Sequence, residues 1–362
     1  MIEQIADAFE RKDYRTAAEL LKQLLEESPQ NPWGQFYLGR LHEVSGKLEA
    51  AATVYRQLLR GTTNAKIVTQ ARQGLQRLEA EEQEQRQRAI AQAIADPSNA
   101  EVGVLVLEPV ASEIRTVAAQ KFAQIMQLDP YTARLQLPSR GWRLYRAGPI
   151  GELRFLGQNL RSAGVPCFWA ILAEIQKIRV FQVSYFQSAS PQAVVVCQNE
   201  QGQLGSVTFN WSEVTQRVAG LLPLFEEVVD LDVRGKLQRK TKTQDYAQFC
   251  DLHLPQRRCI LRLHDQGYQF QRGVEITPKQ GQTTTRINWN SLLSFLDQQL
   301  PQTRVWSDFT SFASTVLDQT ELLGRIQSHI HVFRRNETSW DPAFHLYSGL
   351  VFGEILPATT TS

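Results

Sequence analysis

Apolar positions in the first 78 residues recur at helical spacing. Ile67, Ala71, Leu75 and Leu78 predict one face of a helix, and similar stripes precede it in paired segments. The stripe then gives way to EAEEQEQRQRAIAQAIADPSN, a polar helix of solvated-spacer type that Pro97 is expected to end. We expect a boundary between Ala95 and Ala100. The pattern changes at EVGVLVLEPV (101–110), a short apolar strand run. A helix follows, carrying Ile114, Val117, Ala118, Phe122, Ile125 and Met126 on one face, with Ser112 as its expected N-cap and Pro130 as its stop. GWRLYRAG reads as a strand, IGELRFLGQNLRSAG as a helix ended by Gly164, and VPCFWAILAEI as a β-capable run. Strand–helix–strand–helix–strand order predicts a small α/β sandwich over 100–180.

Beyond 180, QAVVVCQNEQGQLGSVTFNW alternates on both sides of a glycine turn and predicts a hairpin. SEVTQRVAGLLPLFEEVVDLD reads as a helix capped by Ser212 and interrupted near Pro223. DYAQFCDLHL, RCILRLHDQGYQFQ and TTTRINWN read as strands, with a turn at Asp265–Gln266–Gly267. SLLSFLDQQLP and FTSFASTVLDQTELLGRIQ read as helices, and HIHVFRR and HLYSGLVFGEIL as late strands. The expected organisation is a helical segment over 1–96, an α/β segment over 100–180 and an α+β segment with a mostly antiparallel sheet over 181–356.

The first segment carries a repeat. From Pro32, the residues Leu38, Gly39, Gly46, Leu48, Ala51, Tyr55 and Leu58 place small side chains where two helices cross, a glycine at the turn and apolar groups between. A shift of about 34 residues puts Tyr14, Ala17, Leu21 and Leu24 on Leu48, Ala51, Tyr55 and Leu58, with Pro29 ending the unit. Gln4 and Ile5 stand where the Leu–Gly pair would be. These two units resemble tetratricopeptide (TPR) repeats. The resemblance implies helical hairpins whose concave face grips partner proteins. By position that face carries Trp33, Phe36, Arg40 and Glu43, an aromatic pair beside an Arg, as in interface hot spots. Repeats that clamp a C-terminal carboxylate use Lys and Asn where this chain has Ile2, Ala6 and Tyr37, which argues against that use. A two-unit array leaves a repeat face uncovered, so a homodimer through it is a further expectation. The whole arrangement resembles TPR-containing bacterial proteins, cyanobacterial ones among them.

Composition adds limits rather than an activity. The 362 residues are 42% hydrophobic and 21% charged, with a formal net charge of +2, so no global field points to nucleic acid or membrane. No apolar run is long enough to span a bilayer and the start shows no signal-peptide pattern, so the expectation is a cytoplasmic protein without a transmembrane segment. Cys167, Cys197, Cys250 and Cys259 are widely spaced and are expected as free thiols. Neither GxGxxG after a strand nor a P-loop occurs, and no cofactor is implied.

Three features in the second half carry candidate chemistry. Arg234, Lys236, Arg239, Lys240 and Lys242 form a basic run suited to phosphates of nucleic acid or anionic lipid. His329 and His331 would share one strand face as a metal pair, with His345 or Glu354 brought in by folding. Asp251 and His253 would share another strand face, and Asp230 and Asp232 form an acidic pair, but no nucleophile motif accompanies them. The expectation is therefore a non-catalytic adaptor or assembly protein acting through its repeats. The alternative is an enzyme or phosphate-surface binder with its site in the second half.

Overall fold

A computed structural model describes residues 1–231, 237–276, 284–334 and 338–354, with side chains at all of these except Asp230, Leu231, Gln238 and Glu354. The chain divides into two compact units, Met1–Gln92 and the part from Ala93 onward.

The first unit is helical: α1 (Ile2–Glu10), α2 (Tyr14–Glu27), α3 (Pro32–Val44), α4 (Leu48–Gly61) and α5 (Ala65–Ile94). Local chemistry sets the boundaries. Asp13 accepts from the Thr16 amide at 3.2 Å to start α2, and Asn31 Oδ1 accepts from Trp33 N and Gly34 N at 3.0 and 3.1 Å to start α3. Pro32 occupies the first turn of α3, where its missing N–H costs nothing. Gly46, at φ +70°, makes the turn into α4. The small residues of the repeat have the expected purpose. A Cβ on Gly39 would sit 2.6 Å from the Tyr55 ring, and one on Gly74 would meet the other edge of the same ring at 2.6 Å. Tyr55 is thus clasped between α3 and α5, with Ala51 fully buried beside it. Ala17, Leu21 and Leu24 fill the equivalent places one repeat earlier. Ile67, Ala71, Gly74 and Leu78 bury the first half of α5, and the second half is mostly exposed.

The second unit opens with β1 (Val102–Leu107), α6 (Arg115–Met126), α7 (Pro130–Gln136), β2 (Arg143–Pro149), α8 (Ile150–Ser162), β3 (Cys167–Ile171) and α9 (Leu172–Gln176). The three strands form an antiparallel sheet in the order β2-β1-β3. One face of β1 sends Leu105 and Leu107 into a core with Phe122, Leu153, Leu156 and Leu160. Helix α6 starts two residues later than expected, with Ile114 at its N-cap, because the Ser112 hydroxyl bonds Glu113 at 2.8 Å instead of capping.

There follow β4 (Arg179–Ser188), β5 (Ala193–Gln198), β6 (Leu204–Phe209), β7 (Gln216–Leu231), β8 (Leu237–Leu254), β9 (Cys259–His264), α10 (Thr285–Gln299), β10 (Arg304–Trp306), α11 (Phe309–Val316), α12 (Thr320–Leu323) and α13 (Trp340–Glu354). Seven strands form one mixed sheet, β10-β7-β8-β9-β4-β5-β6, with β10–β7 and β4–β9 parallel. The other face of β1, through Val104 and Val106, enters a core with Trp142, Val218, Phe249, Phe309, Phe344 and Tyr347. Residues of the expected 100–180 and 181–356 segments thus share one apolar core.

Four elements depart from expectation. The segment after Ser212 is strand β7, not a helix, since it pairs with β8 from Gln216↔His253 to Leu231↔Leu237. Pro223 is tolerated because β10 reaches only Gln216–Val218, so no ladder partner is lost there. The described part of TTTRINWN is not a strand but the N-cap and first turns of α10, with Thr284 accepting from Ile287 N at 3.3 Å. HLYSGLVFGE lies in α13, where apolar residues surround a helix buried on nearly every side. The described part of HIHVFRR forms neither strand nor helix.

Candidate functional site

Helices α1 and α3 are the leading helices of the two repeat hairpins, and α3 carries the residues expected to grip a partner. Phe36 does not serve that purpose. It is 4% exposed and packs within 6.1 Å of the Tyr55 ring, so it belongs to the core between repeat hairpins. Glu43 is also committed. Its carboxylate accepts from Tyr55 Oη at 2.7 Å and from Arg77 Nε and Nη2 at 2.7 and 3.0 Å. Burial alone would raise the Glu43 carboxyl, but hydrogen bonds from Arg77 and Tyr55 overcome it and hold the group below its ordinary value. This triad ties α3, α4 and α5 together.

Trp33 and Arg40 remain half-buried. The Trp33 ring meets Phe36 edge-on at 6.0 Å and lies 6.4 Å from Tyr37. The Arg40 guanidinium lies 5.6 Å over Phe9. Tyr37 completes the group: it stacks on Phe9 at 5.3 Å and is half-buried between α1 and α3. Burial raises its phenol above the ordinary value, with Arg40 opposing and Glu10 and Asp7 reinforcing. The face is therefore an aromatic strip with one cation, flanked by the exposed carboxylates of Glu3, Asp7 and Glu10. Tyr37 was visible in the sequence only as a departure from the carboxylate-clamp pattern, while its stacking on Phe9 depends on the hairpin crossing.

Asp251 and His253 come together with a residue that no spacing revealed. Ser348, on α13, donates to Asp251 Oδ2 at 2.6 Å and lies 2.9 Å from His253 Nε2. Because the serine hydroxyl donates its one proton to Asp251, His253 Nε2 must donate to Ser348 Oγ. That is the reverse of a nucleophile relay, in which the imidazole takes the serine proton. All three residues are fully buried. Arg262, also fully buried, completes the network. It donates to both Asp251 oxygens at 2.8 and 2.7 Å and to Ser328 O at 2.8 Å. The network fastens α13 and the segment after α12 to the sheet. Burial holds the His253 imidazole down to about 4, so the ring is neutral.

His329 and His331 do not share a strand face. His329 is 8% exposed at φ +51°, and His331 is exposed. His345 does approach, its ring 4.9 Å from that of His329. The Glu354 side chain lies outside the described residues. Among the described residues, no group of three or more His, Cys, Asp or Glu side chains is arranged to hold a metal.

Of the basic run, Arg234 and Lys236 lie outside the described residues, as does Asp232. Asp230 falls on β7, with its side chain outside them too. On β8, Arg239 lies opposite Val229, Lys240 opposite Val228 and Lys242 opposite Glu226. Alternation along the strand sends Arg239 to one face of the β7–β8 ribbon and the two lysines to the other, beside Glu226. The folded ribbon thus mixes charges that the sequence presents as a basic block. All four cysteines are free and buried.

Among the described residues, no helix is long and apolar enough to cross a membrane. A comparison with curated proteins and one with solved structures each returned no match. Residues 8–69 match the tetratricopeptide repeat family, covering the end of α1, all of α2 to α4 and the start of α5, so the N-terminal unit carries a repeat of the protein-interaction type.

Proposed function

We propose that the chain is a non-catalytic adaptor that holds a protein partner on the α1–α3 face of its N-terminal repeat unit. The reading rests chiefly on one observation. Within a segment that matches a protein-interaction repeat, Tyr37 and Arg40 stay half-buried against Phe9, with Trp33 half-buried beside Tyr37, rather than closing into the core. Half-buried aromatic and Arg side chains are the groups from which binding hot spots are built. The carboxylates of Glu3, Asp7 and Glu10 beside them favour a partner segment with apolar side chains for the aromatic strip and Lys or Arg for the acidic flank. The strand-rich unit offers further contact surface for assembly. A second copy of this chain is the simplest alternative occupant.

The test is affinity capture from native extract with the full chain and its Tyr37→Ala/Arg40→Glu variant. The variant is expected to retain its helical circular dichroism and lose its partner at least about tenfold, the effect of removing one hot-spot contact. Sedimentation of both proteins separates self-association from capture of another protein. Equal recovery of the same partner by both proteins rules the reading out.

A further inference from the structure

The second unit contains a cleft of about 560 Å³, within the usual range for small-molecule sites. Gln182 lines it from β4, Asn199 and Glu200 from the β5–β6 turn, His329 and His331 from the segment after α12, and Asp341 from the start of α13. Its walls are fixed in place. Asn199 Oδ1 accepts from Gln201 N and Gln203 N at 3.1 and 2.9 Å, which sets the turn presenting Glu200. Arg262 holds the carbonyl of Ser328, and Gln182 Nε2 donates to the carbonyl of His329.

Two acceptors on described lining residues are left without a hydrogen-bond donor. Because Gln182 Nε2 is spent on a carbonyl, its Oε1 is the acceptor left over, and it is buried with no hydrogen-bond partner. A buried, unmet acceptor is costly and calls for a donor. Glu200 is a third exposed, and His329 Nδ1 lies 3.7 Å from its carboxylate, beyond hydrogen-bond length. The other carboxylate of the cleft, Asp341, is ion-paired with Arg334 and adds no net charge. Among the described residues, the lining therefore holds one carboxylate without a hydrogen-bonded counter-charge, Glu200, and one buried carbonyl oxygen without a donor, Gln182 Oε1.

We propose that this cleft binds a small organic cation whose ammonium or guanidinium N–H groups bond Gln182 Oε1 and the Glu200 carboxylate. The site is independent of the repeat face, so either proposal can fail without the other.

Isothermal titration calorimetry of the full chain tests it with putrescine and methylguanidine as N–H cations. Tetramethylammonium serves as a cation without N–H, and 1,4-butanediol as an uncharged diol. Binding of one or both N–H cations at one per chain is expected, and which of them binds separates ammonium from guanidinium recognition. Neither control should bind. Glu200→Gln should weaken binding at least about tenfold, the loss of one charge-assisted hydrogen bond. Glu174→Gln, at an exposed carboxylate paired with Lys177 at 2.5 Å, should bind as the parent does. The thermal midpoint without ligand checks that both variants fold. The proposal is overturned if neither N–H cation binds, if tetramethylammonium binds as well as they do, or if Glu200→Gln leaves affinity unchanged.

Discussion

Single side chains decide whether the repeat hairpins close. Tyr55 fits because Gly39 and Gly74 have no Cβ on either side of its ring. Gly39→Ala is expected to cost about 1–3 kcal/mol through overpacking, read as a lower urea midpoint of the helical signal. Tyr55→Phe keeps the packing and loses only the bond to Glu43, at about 1 kcal/mol. In the second unit, Asp251→Asn would leave Arg262 buried without its counter-charge, and should cost about 3–5 kcal/mol.

The buried histidines give the fold a pH dependence. Burial lowers the imidazoles of His253 and His264 to about 4, and those of His329 and His345 are lowered too. An unfolded His takes its proton near pH 6.5, whereas these resist until much lower pH. Between the two values the unfolded chain binds more protons, so stability is whole above about pH 6.5 and is lost as pH falls toward 4. His253 alone accounts for on the order of 3 kcal/mol. Urea midpoints measured at pH 7.5 and pH 5 should fall accordingly. His345→Phe should flatten that slope, because both ring nitrogens of His345 are buried without hydrogen-bond partners. A midpoint flat from pH 7.5 to 5 would refute the assignment of these imidazoles as neutral.

At the level of elements, the helical hairpins were legible because their burial follows one period. Gly39, Ala51 and Tyr55 stand where the crossing needs them, and the sequence shows that spacing directly. Strand β7 was not legible. VAGLLPLFEEVVDL also satisfies a helical stripe, and only the long pairing with β8 decides against it. Helix α13 escaped for the opposite reason, since a helix buried all round has no polar face to reveal its period. Of the face proposed to hold a partner, Trp33 and Arg40 were named from repeat position, and both are half-buried. The loss of Phe36 to the core and of Glu43 to Tyr55 and Arg77 depends on neighbours more than ten residues away. Hydrogen exchange should separate packed from unpacked parts of single elements. Amides of α5 from Ile67 to Leu78 should be protected, and those beyond Glu82 should exchange faster. In β8, Phe249–Leu254, paired on both sides, should outlast Leu237–Lys242. Uniform protection along either element would contradict this packing.

On the scale of the whole molecule, two compact units have separate cores and separate candidate sites. The first carries an aromatic and acidic surface, proposed to hold a polypeptide, and the second a small polar cleft. The central claim concerns the first: a protein partner lies against the α1–α3 face. Photo-crosslinking tests it most directly. A benzoyl-phenylalanine in place of Tyr37, whose aromatic shape it shares, is compared with one replacing Arg56, exposed on α4. The account predicts that irradiation joins the partner to position 37 and leaves position 56 unreacted. Crosslinks at position 56, with none at position 37, would contradict it.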